Sequence, residues 1–151
     1  MEGSEYMFGK VLVPVDGSAA ALNAVHYARK IAEKFESAVT LLHIVEHPGY
    51  LNLDDENLPA SLILDMEKNG NQILLEAAKP FADYNGRVVT KLEYGHAGIK
   101  ITEICKENGY SLIIMGRRGL SGVKQLLLGS VSNYVLHYAQ CPTLIIKEAL
   151  N

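Results

Sequence analysis

The sequence has only two cysteines, Cys105 and Cys141, and it contains no Cys-x-x-Cys pair. It therefore lacks the dense cysteine pattern that staples small secreted domains. We interpret the two side chains as buried or half-buried thiols in a reducing compartment. The segment from Met1 to Lys10 has no apolar core of the kind found in signal peptides, and no apolar stretch reaches the ~18 residues of a membrane span. We therefore expect a cytoplasmic protein without a membrane partner.

An excess of basic residues is also missing, since the formal net charge is −3. Proteins that bind nucleic acids usually carry a basic face or a basic total. Arg117 and Arg118 form the one basic pair at a suggestive position, and two arginines do not make a DNA-binding surface. Nucleic acid is therefore not expected as the partner.

Motifs of two common enzyme classes are absent as well. The sequence has no GxxxxGK[ST] phosphate loop and no GxSxG nucleophile elbow. His43 and His47 are four residues apart, a spacing that brings two ligands together on a helix. Here they fall on a predicted strand and the loop after it, so we expect no zinc site and interpret the histidines as structural.

The chain has 151 residues, of which 48% are hydrophobic and 21% charged. This length and composition predict one globular domain over residues 1–151. Five short runs are rich in β-branched and aliphatic residues, and three of these are nearly continuous in apolar residues. Such continuity is typical of parallel strands that are covered on both faces. The runs are Lys10–Val15, Ala38–Val45, Arg87–Glu93, Ser111–Met115 and Thr143–Lys147.

Helical periodicity fills the gaps between the predicted strands. Ser18 is a candidate N-cap for the first helix. The second helix begins near Leu58, after a predicted surface loop over His47–Pro59, and Pro80 should kink or end it. Gly109 is a candidate residue for closing the third helix. The order β-α-β-α-β-α-β-α-β predicts a three-layer, doubly wound α/β fold with five parallel strands and four helices.

In folds of this kind, ligands bind beyond the carboxyl ends of the strands, where the strand order reverses. The ends of the first and fourth predicted strands, after Val15 and Met115, are therefore the places to inspect. Glycine follows at both.

The segment after the fourth strand reads Gly116-Arg117-Arg118-Gly119, then nine residues, then Gly129-Ser130. Glycines at the first two positions allow a tight bend and a close approach to a ligand. Gly129 and Ser130 open the fourth helix, where free N–H groups and a partial positive charge suit a phosphate.

The spacing G-x2-G-x9-G-[S/T] resembles the signature of the ATP-binding universal stress proteins. The likeness runs over nearly the whole chain, and the other segments that carry it are Val11–Ser18, Leu41–Val45, Gly95-His96 and Cys141–Ile146. The resemblance implies an adenine nucleotide α-hydrolase-like fold with strand order 3-2-1-4-5. It also implies a homodimer through the last strand, Thr143–Lys147. A bare apolar edge there would invite pairing with another strand.

The resemblance further implies a site for ATP, or for AMP or ADP, with Mg²⁺ as a possible companion. The residues expected beside the adenosine are Pro14, Val15, Asp16, Ile44, Met115 and Gly116. Those expected to hold phosphates are Arg118, Gly119, Gly129, Ser130, Val131 and Ser132. Simpler interpretations stay open for three kinds of residue. Asp16 could only structure its turn, Ile44 and Met115 could be core, and Arg118 could be a solvated loop residue.

The sequence offers phosphate donors but no convincing group to orient an attacking water. We therefore interpret the protein as a nucleotide-dependent switch or scaffold rather than a fast enzyme. A slow Mg²⁺-dependent ATP hydrolase or phosphotransfer enzyme is the first alternative. A dimeric interaction module that works without nucleotide is the second.

Overall fold

Strands and helices alternate along the chain in the predicted order. The computed structural model describes residues 7–46, 59–117 and 128–147. Within these ranges a short 3-10 turn over Lys79–Phe81 follows the second helix. The elements are β1 (Lys10–Pro14), α1 (Ala19–Phe35), β2 (Ala38–Val45), α2 (Ala60–Ala78), β3 (Val88–Tyr94), α3 (Ala97–Asn108), β4 (Leu112–Gly116), α4 (Ser130–Tyr138) and β5 (Thr143–Ile146).

The five described strands form one parallel sheet in the order β3-β2-β1-β4-β5. This confirms the predicted fold class and strand order. From β1 the chain moves outward to β2 and β3, and it then crosses back to β4 on the other side of β1. The reversal point therefore lies between the carboxyl ends of β1 and β4, where a ligand site is expected.

The sheet separates two apolar clusters, one on each face. Val13 and Leu41 pack with α1 and α2, whereas Leu12 and Ile113 pack with α3 and α4. Neighbouring residues of a strand point to opposite faces, so a strand buried on both faces is apolar at nearly every position. The central strands β1 and β4 show this pattern.

The helices begin or end near the residues that the sequence predicted as local start and stop signals. The Ser18 hydroxyl oxygen accepts a hydrogen bond from the Ala21 N–H at 3.1 Å and caps α1. Helix α2 ends at Ala78, two residues before Pro80. Gly109 closes α3 with a φ of 66°, in the left-handed region that favours glycine.

Some sequence predictions fall outside the described residues. The predicted loop His47–Pro59 and the predicted helix start at Leu58 do so, apart from Pro59, which immediately precedes α2. In the part of the chain that is described, no helix has both the length and the hydropathy of a membrane span. Cys105 is buried and Cys141 is half-buried, and both are free thiols, as predicted.

Candidate functional site

A cleft with a volume of about 410 Å³ opens at the carboxyl ends of β1, β2 and β4, at the reversal point of the sheet. Its size lies within the range of small-molecule sites, roughly 300–1,000 Å³. Of the residues predicted from the sequence, those that line it are Pro14, Val15, Asp16, Ile44, Met115, Gly116, Gly129, Ser130, Val131 and Ser132. Arg118 and Gly119 lie outside the described residues.

Apolar side chains form much of the wall. Val15 and Met115 are also buried in the core, which confirms the core interpretation of Met115, whereas its contact with a ligand stays a prediction. The apolar lining includes Leu42, Ile44, Met66, Ile73, Ile101 and Met115. A wall of this kind suits a flat apolar group such as a heterocyclic base.

The opposite part of the wall is the first turn of α4. Gly129 is the N-cap residue and has no side chain to bond the turn that follows. The first N–H groups of a helix have no acceptor within it. Ser130, Val131 and Ser132 supply these groups, and all three residues line the cleft. The helix end therefore presents N–H donors and a partial positive charge to any anion bound there.

The start of α4 is tied to the end of β4 through one carbonyl group. The Arg117 carbonyl oxygen accepts the Gly129 N–H at 2.8 Å and the Ser132 hydroxyl at 2.7 Å. Ser132 is almost fully buried, and its hydroxyl also lies 3.1 Å from the Gly129 carbonyl oxygen. The Ser132 hydroxyl hydrogen is thus used within the protein, which leaves its backbone N–H as the group available to a ligand.

Gly116 ends β4 and lines the cleft, and packing explains why it is glycine. A methyl group built on it would lie 2.8 Å from backbone atoms of Ala20 in the first turn of α1. Contacts that short do not fit without a backbone shift. The close approach of β4 to α1 therefore explains the glycine at this position, independently of any ligand.

Asp16 structures the turn after β1 and also lines the cleft. One carboxylate oxygen, Oδ1, accepts the Ser18 N–H at 2.9 Å. Gly17 between them has a φ of 87°, which a residue with a side chain rarely adopts. The turn interpretation of Asp16 is therefore confirmed. Its contact with a ligand stays a prediction, and the lining position is compatible with it.

Glu46 is the other acidic side chain among the described lining residues. Its Oε1 accepts the N–H of Ala97 at the start of α3. Like Asp16, it uses one carboxylate oxygen to hold a backbone N–H.

Of the four histidines in the described ranges, three make hydrogen bonds within the fold, which agrees with the structural interpretation, and His26 is exposed on α1. His43 donates from Nδ1 to the Val15 carbonyl oxygen at 2.8 Å and so fixes the end of β1 to β2. His96 caps α3 by accepting the Ile99 N–H, and His137 donates from Nδ1 to the carbonyl oxygen of Asn133. Within the described ranges, no three histidine, cysteine or acidic side chains are grouped as a metal site.

Sequence reasoning missed the contribution of α2 to the cleft. Met66, Asn69 and Ile73 line it from one face of this helix. Gly70 lets the helix lie close to the sheet, since a methyl group there would come within 2.7 Å of the His43 ring and 2.8 Å of Leu92. A glycine inside a helical pattern was the available signal, because it often marks such a close approach.

Comparison with known proteins agrees with this architecture. The profile of the universal stress protein family matches residues 7–147. Universal stress protein YxiE of Bacillus subtilis is 30% identical over 148 residues, which cover 93% of this chain and 100% of the relative. Universal stress protein MJ0531 of Methanocaldococcus jannaschii is 27% identical over 148 residues, with 98% and 87% covered.

Solved structures show the same fold. Protein MJ0577 of Methanocaldococcus jannaschii superposes with a TM-score of 0.82 at 24% identity, covering 96% of this chain and 99% of its own. A universal stress protein in complex with cAMP has a TM-score of 0.71 at 25% identity, with 93% and 97% covered. The Arabidopsis thaliana family protein At3g01520 with AMP bound has a TM-score of 0.64 at 17% identity, with 92% and 91% covered.

Proposed function

Because the chain belongs to the universal stress protein family, we propose that it binds ATP and acts as a nucleotide-dependent switch or scaffold in the stress response. The observation that carries the proposal is the position of α4. Its free N–H groups at Ser130, Val131 and Ser132 open into a cleft whose other walls are apolar. A phosphate chain at the helix end and a base against the apolar wall would use both features.

The size and chemistry of the cleft support this ligand class. A volume of about 410 Å³ accommodates a nucleoside and part of a phosphate chain. The relative at 25% identity was solved with cAMP, which supports an adenine nucleotide as the ligand. We propose that Ile44 and Met115 contact the base, and that Arg118 and Gly119 complete the phosphate site.

The charges of the cleft favour a nucleotide that carries Mg²⁺. Among its described lining residues, Asp16 and Glu46 are the two acidic side chains, and there is no lysine or arginine. A bare triphosphate beside Asp16 would be repelled, whereas a magnesium ion would bridge phosphate oxygens and a carboxylate. Asp16 is the residue that would hold it, together with the phosphates.

We propose binding rather than rapid turnover. Both carboxylates accept backbone N–H groups, and the described histidine of the cleft, His43, donates to the Val15 carbonyl. Each of the three therefore already holds a backbone group with one of its polar atoms, which supports a structural role over that of a general base. Slow hydrolysis assisted by a metal and Asp16 is the second candidate, because the carboxylate lies in the cleft.

We propose that the protein is a cytoplasmic homodimer and that one domain extends over the whole chain. Strand β5 lies at an edge of the sheet, and Leu144 on it is 37% exposed. An apolar edge strand with unpaired backbone groups is stabilised when a second copy pairs with it. Two neighbouring free thiols, Cys105 and Cys141, fit a reducing compartment.

The test measures nucleotide in the purified protein and then titrates ATP with and without Mg²⁺. We expect ATP, ADP or AMP released on denaturation, or saturable binding that Gly129→Val abolishes. Gly129 has an ordinary φ of −72°, so the variant should keep its fold. Leu136→Val, on the exposed side of the same helix, is the matched control and should bind as the wild type does.

Two outcomes would change the proposal. No nucleotide and no saturable binding would contradict it and favour a dimeric interaction module. Multiple turnovers of ATP per minute, lost in Asp16→Asn, would favour the hydrolase. Folding of Gly129→Val is checked by circular dichroism and thermal unfolding, so that a loss of binding is not a loss of structure.

A further inference from the structure

The two cysteines of the chain meet in space although 36 positions separate them in sequence. Their Sγ atoms are 2.8 Å apart. Cys105 lies on α3 and is buried, and Cys141 lies in the turn between α4 and β5 and is half-buried. Both belong to the apolar cluster under α3 and α4. A movement of less than about 1 Å would bring the sulfurs to the ~2.05 Å of a disulfide bond.

We propose that Cys105 and Cys141 are a modification site that closes into an intrachain disulfide when the protein meets a peroxide. Neither cysteine lines the nucleotide cleft, and neither belongs to the glycine motif. The two thiols lie within bonding reach in the reduced fold, and the half-buried one gives an oxidant access from solvent.

The chemistry balances with one peroxide molecule as the oxidant. The Cys141 thiolate attacks a peroxide oxygen, the O–O bond breaks, and a sulfenic acid and one water form. The Cys105 sulfur then attacks the Cys141 sulfur, the S–O bond breaks, and a second water leaves with the remaining thiol proton. Two thiols lose two hydrogens and two electrons in total, and the peroxide is reduced to two waters.

The disulfide would close a ring that contains the part of the candidate site formed by β4 and α4. All of the glycine motif, from Gly116 to Ser130, lies between Cys105 and Cys141, together with β4 and α4. Closing a ring across a sequence separation of 36 restricts the unfolded chain and stabilises the folded one. We expect the melting temperature of the oxidised protein to rise by roughly 10 °C, because the loop-entropy effect is large and the chain is short.

The reaction should be slow at neutral pH. Burial first, and the neighbouring Cys105 thiol second, raise the pKa of Cys141 to about 12. The thiolate is the species that reacts with peroxide, so only a small fraction of the protein is reactive at any moment. Such a pair stays reduced in ordinary conditions and closes under sustained oxidation.

The experiment treats the reduced full-length protein with hydrogen peroxide and follows intact mass, free thiols and linked peptides. We expect a mass loss of two hydrogens, the loss of both thiols together, and a Cys105–Cys141 linked peptide. Dithiothreitol should reverse all three changes, and the oxidised protein should melt at the higher temperature. Cys141→Ser should show neither the mass loss nor the rise in melting temperature.

Several results would overturn the proposal. Sulfinic or sulfonic acid on Cys141 with Cys105 still free would do so, as would a disulfide between two chains or a lower melting temperature after oxidation. If Cys141→Ser fails to fold, Cys105→Ala serves as the second variant. If neither variant folds, the presence or absence of the Cys105–Cys141 linked peptide in the oxidised wild type decides whether the disulfide forms.

Discussion

The Ser132 hydroxyl donates a 2.7 Å hydrogen bond to the Arg117 carbonyl oxygen and joins the end of β4 to the first turn of α4. Ser130, two positions earlier, is exposed and lines the same cleft. The family resemblance assigns both serines to phosphate, but the Ser132 hydroxyl holds the helix end, and we propose that the Ser130 hydroxyl contacts the ligand.

The substitutions Ser132→Ala and Ser130→Ala should separate these two roles. Ser132→Ala removes a buried hydrogen bond and should lower the free energy of unfolding by about 1 kcal/mol. Ser130→Ala should leave stability within about 0.5 kcal/mol but weaken ATP binding roughly tenfold, because a bond to a charged group is lost. Urea unfolding and ATP titration measure the two effects. Equal stability losses in both variants would contradict this division.

The substitution Asp16→Asn tests the proposed contact of this side chain with metal and phosphate. Asp16→Asn keeps an Oδ1 that accepts the Ser18 N–H, so the turn and the fold should be retained. The variant loses the negative charge, and ATP affinity in the presence of Mg²⁺ should fall roughly tenfold or more. Affinity without Mg²⁺ should stay equal or rise, because a repulsive charge has gone.

The comparison is made by titrating ATP into both proteins with Mg²⁺ and with a chelator. Asp16→Ala is the informative companion, since it removes the turn bond as well and should also lose stability. Equal losses of affinity with and without Mg²⁺ in Asp16→Asn would show that the carboxylate contacts the nucleotide directly, without a metal.

Much of the fold is predictable from the sequence because its signals are local. Continuous apolar runs mark the buried strands, and Ser18, Pro80 and Gly109 mark helix ends through their own backbone chemistry. The glycine spacing likewise predicts one wall of the cleft, since Gly116, Gly129 and Ser130 meet at the reversal point of the sheet.

Contacts between distant segments could not be predicted in the same way. Asn69 and Ile73 reach the cleft because α2 packs closely on β2 and β3, and Gly70 allows this close packing. The meeting of Cys105 with Cys141 depends on how α3 packs beside the turn before β5. Gly70 inside the helical pattern is a signal for the first contact, but spacing along the chain carries none for the second, because tertiary packing determines it.

Charge on the edge strand should separate the proposed dimer. Leu144 on β5 and Val89 on β3 lie on the two edge strands of the sheet, and each is 37% exposed. Leu144→Glu should yield a monomer, because a carboxylate buried without a partner in the proposed interface is costly. Val89→Glu on the opposite edge should leave the oligomeric state unchanged. Sedimentation equilibrium measures both, and a wild-type monomer or a dimer that survives Leu144→Glu would contradict the interface.

Alkylation of Cys141 should report its raised pKa directly. Burial, followed by the Cys105 thiol, raises the pKa to about 12, and Cys105 is the titratable neighbour that contributes. A raised thiol pKa means less thiolate at each pH below it, so iodoacetamide should react slowly near neutrality. The rate should then rise about tenfold per pH unit from pH 7 to 9, whereas a free cysteine thiol levels off near its pKa of about 8.5.

Cys105→Ala is the matched variant for this measurement. It removes the second cause of the shift and leaves burial, the larger one, in place. Cys141 in this variant should therefore react faster than in the wild type at each pH and still show no plateau below pH 9. A plateau in the wild type within that range would mean that solvent reaches the Cys141 sulfur freely, and the slow closure of the disulfide would then lose its physical basis.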